Sequence, residues 1–147
     1  MITASYKSMQ YIWNPPHRHF EVLVQDIFEG FPFVIMNYGT HPCCYVGVPK
    51  GHPLYEKTYE EGGMPDCHGG VTYSEHGLLR QGREYISLDY WVLGWDYGHA
   101  GDYSSYYSEY DQTSFAHECK KWTTEEMLEE IENVILQLKD PIVLSYR

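Results

Sequence analysis

TTEEMLEEIENVILQLKDP, residues 123–141, decides the fold. Thr123 followed three residues later by Glu126 is a capping box, and Trp122 and Met127 are spaced for a hydrophobic staple across it. Met127, Ile131, Val134, Ile135 and Leu138 recur at the helical period and form one apolar stripe. Glu125, Glu126, Glu129, Glu130 and Glu132 crowd the early turns, where the helix dipole favours negative charge; Lys139 stands at the other end, and Asp140-Pro141 stops the helix. Such a stripe must be buried against something, and the rest of the chain has to supply that surface.

Working upstream, three runs read as β-strands: Phe20 to Phe28 (FEVLVQDIF), Phe31 to Met36 (FPFVIM) and Cys43 to Val48 (CCYVGV), separated by Gly30 and by His41-Pro42. Their short spacing favours an antiparallel meander. Pro49 to Gly70 carries the turn signals GHP, EGGMP and HGG and reads as a long loop, a feature that in compact domains is often functional. Val71 to Ser74 and Tyr85 to Trp95 (YISLDYWVLGW) complete the set. Tyr97 to Gln112 holds five tyrosines and almost no aliphatic side chain, so it reads as an exposed or site-lining loop. The expectation is one α+β domain over residues 1–147: an antiparallel sheet of four or five strands with one C-terminal amphipathic helix packed on a face.

Ten Lys and Arg against twenty-one Asp and Glu give a net charge of −11, a field that repels phosphate backbones and argues against non-specific nucleic-acid binding. No apolar run approaches the roughly eighteen residues of a membrane-spanning helix. The first sixteen residues, MITASYKSMQYIWNPP, lack the pattern of a secretory signal, so a cytoplasmic setting without membrane contact is expected. Cys43, Cys44, Cys67 and Cys119 show no C-x-x-C spacing and read as ordinary reduced thiols.

Candidate chemistry concentrates in three segments: Gly51-His52-Pro53, Asp66-Cys67-His68-Gly69-Gly70 and Asp96-Tyr97-Gly98-His99-Ala100-Gly101-Asp102. Each adjoins a strand, so all three could meet at one end of the sheet. His52, Asp66, His68, Asp96, His99 and Asp102, with Tyr73 and Trp95 as aromatic contacts, form the candidate ligand-binding set. His68, Asp96, His99 and Asp102 also have the donor types for a divalent cation such as zinc, manganese or iron. The same residues equally suit turn hydrogen bonds and an Asp–His tether between loops. Between Arg83 and Lys120 there is no Lys or Arg, so a phosphate ligand here would draw on Lys50, Lys57, Arg80 or Arg83 from elsewhere. No nucleophile elbow, P-loop, dinucleotide fingerprint or H-E-x-x-H occurs.

HPCCYVGVPKGHPLY (residues 41–55), DCHGGVTYS (66–74) and WDYGHAGD (95–102), followed by the terminal helix, together resemble a set of small phage and bacterial proteins of unassigned function. That set resembles GYVGVP-GHP-YG, DVHGGLTY and GFD-H-GD in the same order. This chain departs from it at Cys44 and at Glu56, where the pattern has Gly, and at Cys67, where it has Val. The resemblance implies a phage setting, hence the host cytoplasm, and with it capture of a nucleotide-derived host signal. Two functions follow as expectations: a non-enzymatic binder of a small polar, nucleotide-like ligand, or a metal-dependent hydrolase built on the His/Asp cluster. A structural or interaction protein is the plain alternative, and a homo-oligomer is left open.

Overall fold

The computed structural model describes residues 20–102 and 119–140. Five strands, β1 (Glu21–Phe28), β2 (Phe31–Asn37), β3 (Pro42–Val48), β4 (Tyr73–Arg80) and β5 (Arg83–Asp96), precede the helix α1 (Thr124–Lys139). They form one sheet in the order β1-β2-β3-β5-β4, with every neighbouring pair antiparallel. This is the α+β architecture expected from the helix stripe and the strand runs. Both two-residue hairpin turns have left-handed central residues, Glu29-Gly30 (φ 53° and 83°) and Gln81-Gly82 (φ 51° and 74°), the backbone that matches the twist of the strands they join.

Strand alternation sorts the side chains into two layers. Phe33, Ile35, Cys44, Val46, Val48, Trp91, Leu93 and Trp95 form one core with α1, whose Met127, Ile131, Val134, Ile135 and Leu138 are all 0% exposed. The capping box forms as expected: the Thr123 hydroxyl accepts the Glu126 N–H at 3.1 Å, and the Glu126 carboxylate accepts the Thr123 N–H at 3.1 Å. Trp122 packs against the same core that contains Met127.

The opposite layer holds Val34, Met36, Cys43, Tyr45, Leu78, Ile86 and Val92. Its cover comes from the β4–β5 hairpin. Only Trp91 to Asp96 of β5 pair with β3, so the first half of β5 is free to leave the sheet. Gln25 on β1 donates from Nε2 to the Tyr85 carbonyl at 3.0 Å, although β1 and β5 lie three strand spacings apart, about 14 Å within a flat sheet. The hairpin therefore folds back across the second face, bringing Leu78 and Ile86 down onto it. The bend sits at register irregularities around Gly77, whose φ is 68°. The expected short strand Val71–Ser74 is thus corrected to Tyr73–Arg80. Glu75-His76-Gly77 breaks the alternation in sequence, but in space it is a bulge within a continuing strand.

Tyr97, expected in an exposed or site-lining loop, is 1% exposed. Its N–H donates to the Pro42 carbonyl at 3.0 Å, prolonging the β3–β5 ladder by one residue. Of that loop, residues 103–112 lie outside the described part.

Candidate functional site

Two of the three His/Asp/Gly segments meet, and α1 arranges the meeting. Gln137 grips the backbone of Asp66 twice: its Oε1 accepts the Asp66 N–H at 2.8 Å, and its Nε2 donates to the Asp66 carbonyl at 2.9 Å. Two helical turns earlier, Glu130 Oε1 accepts the His68 N–H at 2.6 Å. Residues 66–68 therefore run along the helix toward its N-terminus and deliver His68 to Asp102. Gly69 and Gly70, with φ of 71° and 82°, then turn the chain away, a backbone that favours glycine.

Asp102 is the fixed centre, 4% exposed. His68 Nε2 reaches its Oδ2 at 2.8 Å and its Oδ1 at 3.0 Å. Trp122 Nε1–H donates to Oδ1 at 2.8 Å, and the His99 backbone N–H donates to Oδ2 at 3.0 Å. A carboxylate can only accept, so a His68 proton sits on Nε2, and in the neutral ring the lone pair is then on Nδ1. The ring is clamped on its faces: it stacks flat on Tyr97 (centroids 4.7 Å apart, 6° between planes), leans on Trp122 at 4.8 Å and meets His99 edge-on at 5.8 Å. The His68 side chain remains 26% exposed, and its Nδ1 makes no hydrogen bond among the described residues.

Asp96 and His99 form a second pair. His99 Nε2 lies 3.4 Å from Asp96 Oδ1, within ion-pair reach. It is not aligned for a hydrogen bond and is buried without a hydrogen-bond partner among the described residues. Asp96 Oδ1 instead accepts the Gly98 N–H at 2.9 Å. The His99 ring is seated on Gly69, where any Cβ would collide with it. Asp66 contributes its backbone to the helix clamp.

Three residues of the expected ligand set stand elsewhere. His52 is at the far end of α1: its Nδ1 accepts the Leu54 N–H at 3.0 Å and its Nε2 donates to the Leu138 carbonyl at 2.7 Å. Both ring nitrogens are used, and the residue closes the last turn of the helix. Tyr73 points to the second face, its hydroxyl bonded to the Gly77 carbonyl at 3.1 Å. Trp95, 1% exposed, lies inside the main core with its Nε1 on the Tyr97 hydroxyl at 3.3 Å. Period-two alternation places these two rings on opposite sides of the sheet and neither on the site. Conversely, Tyr97, Trp122, Glu130 and Gln137 build the site although none of them stood in the expected ligand set. The one usable signal was Trp122, whose staple position puts an indole N–H at the helix entrance.

The four residues considered as a metal set therefore divide into two pairs, His68–Asp102 and Asp96–His99. Among the described residues no group of three or more His, Cys, Asp or Glu side chains could hold a metal ion. None of the four cysteines is in a disulfide. Burial, then the negative charge of Asp96, pushes the Cys43 thiol up to about 12, and burial, then Glu130, does the same for Cys67. Cys44 is likewise raised by burial. Such thiols are poor nucleophiles and poor metal ligands. No described helix is long and apolar enough to cross a membrane. No family model, curated protein or solved structure matches the chain.

Proposed function

We propose that this protein binds a small polar ligand at His68. The observation that carries this reading is the Asp102 carboxylate, engaged by His68, Trp122 and the His99 N–H, which orients one imidazole and leaves its Nδ1, an acceptor in the neutral ring, without a hydrogen bond among the described residues. An acceptor locked between aromatic faces recognises a donor-bearing group at little ordering cost. Asp96 and Asp102 at the site, with Glu130 and Asp66 behind it, favour a neutral or cationic group over a phosphate. The N–H edge of a nucleobase has this chemistry. The motif resemblance to small phage and bacterial proteins adds a setting in which capture of a nucleotide-derived molecule would serve the phage.

The test joins two measurements. Protein purified without added ligand is heat-denatured, and the supernatant is searched by mass spectrometry for stoichiometric small molecules; nucleosides and nucleotides are then titrated calorimetrically into the folded protein. A released or titrated ligand is expected whose binding is lost in His68→Gln and in Asp102→Asn. Binding that survives both substitutions, or the absence of any released or titrated ligand, overturns the reading.

A further inference from the structure

The strongest feature outside this site surrounds Arg80, on the second face of the sheet. Among the described cations, Lys120 and Lys139 are paired with Glu126 and Glu29 at 2.6 and 3.0 Å. Arg80 has no such partner among the described residues, in a chain whose acids outnumber its bases by eleven. It lies instead over three tyrosine rings, its Cζ 5.4 Å from the centroid of Tyr73, 5.7 Å from Tyr45 and 5.9 Å from Tyr38.

The floor beneath it is set by Gly94. Tyr45 on β3 and Tyr73 on β4 both pair with Gly94 on β5. Their rings meet edge to face at 5.3 Å. A Cβ at Gly94 would lie 2.6 Å from Tyr45 Cδ1 and 3.1 Å from Tyr73 Cβ, so the missing side chain is what lets the rings lie down. The guanidinium is aimed by two bonds: Nε donates to the Tyr38 hydroxyl at 2.8 Å and Nη1 to the Leu79 carbonyl at 2.7 Å. The Tyr38 and Tyr45 hydroxyls are joined at 2.9 Å. An arginine has five N–H donors; the bonds to Tyr38 and Leu79 use one on Nε and one on Nη1, and the Tyr45 and Tyr73 hydroxyls stand beside the others, so an anion on the Nη1–Nη2 edge would be met by hydroxyls as well as by the guanidinium. Across the hairpin Arg80 pairs with Arg83, next to Glu84; among the described residues Arg80 forms no ion pair with Glu84, Glu75 or Asp96.

We propose that Arg80, on its tyrosine floor, is a binding site for a single oxyanion, the carboxylate or phosphate of a small molecule held by the Nη1–Nη2 edge. A planar fork already oriented by two bonds and three rings loses little freedom on engaging such a group. The site is separate from His68 and independent of the reading given for it.

Inorganic phosphate and acetate are titrated separately, up to about 100 mM at constant ionic strength to hold screening fixed, while the Arg80 Nε–H resonance and tyrosine fluorescence are followed. A saturable shift with a millimolar dissociation constant is expected for one probe or both, and which one responds assigns the ligand to phosphates or carboxylates. Arg80→Lys, which keeps charge and stem, is expected to weaken binding about tenfold by losing the fork. Arg80→Gln abolishes it, whereas His68→Gln leaves it unchanged. Thermal melts of Arg80→Lys and Arg80→Gln establish that each is folded before binding is read. No saturable shift with either probe, or an equal affinity in folded Arg80→Lys, overturns the proposal.

Discussion

Glu56 stands with φ at 64°, a left-handed backbone that costs a residue with a Cβ about 1–2 kcal/mol. Its exposed contact with His76, Glu56 Oε2 to Nε2 at 3.1 Å, offsets little of that strain. Glu56→Gly is expected to raise stability by about 0.5–1 kcal/mol in urea denaturation; an unchanged or lower midpoint would show that the strain is relieved elsewhere. Cys67 is packed against the main core and behaves as a small hydrophobe with its thiol pushed up to about 12 by burial and then by Glu130. With Cys43 raised to about 12 as well, both are expected to react with iodoacetamide at neutral pH far more slowly in the folded protein than in urea, because only the thiolate attacks. Peptide mapping would detect the opposite as early alkylation at either position. The histidines show the limit of residue-level reading: His52 and His68 have similar glycine-rich neighbours, yet one spends both ring nitrogens on backbone and the other makes no Nδ1 hydrogen bond among the described residues.

At the scale of elements, α1 was fully legible because every signal in it is local: period, cap, charge order and stop residue all lie within nineteen residues of sequence. Its cap also carries a pH dependence. Burial alone would raise the Glu126 pKa, but the Lys120 ammonium and the Thr123 N–H and hydroxyl outweigh it and hold the carboxylate below its ordinary value of 4.5. A depressed folded-state pKa contributes stability that is complete above the unfolded value and lost as pH falls through the folded one. Glu126→Gln should therefore destabilise the protein at pH 7 by about 0.5–1 kcal/mol, and the gap to the parent should narrow progressively as pH falls below the ordinary value of 4.5. A gap that stays the same throughout the acid range would mean that the side chain acts through packing. The strand β4 was less legible, since its bulge at Gly77 is stabilised by pairing with β5 and leaves no periodic trace.

For the whole molecule, the consequential event is the folding back of the β4–β5 hairpin, which gives a sheet with one helix a second buried face. Adjacent leucines report it directly: Leu78 is 0% exposed and Leu79 46%. Leu78→Ala is expected to cost about 2–4 kcal/mol and Leu79→Ala less than about 0.5 kcal/mol in equilibrium unfolding. Equal costs would mean that the hairpin does not cover the second layer. The same fold-back carries Arg80 over Tyr45 of β3, Tyr73 of β4 and Tyr38 just beyond β2, an assembly that no spacing of these residues along the chain suggests. What the sequence by itself determined is the content of the fold: a helix with one apolar face, strands that alternate or run continuously apolar, and polar loops rich in His, Asp and Gly, because these follow from interactions over a few residues. Only the tertiary structure decided which loop meets which. His68 and Asp102 are thirty-four residues apart and Gln137 is seventy-one from Asp66; these pairings depend on how the helix lies across the sheet, a consequence of burying the whole apolar stripe at once rather than of any local pattern.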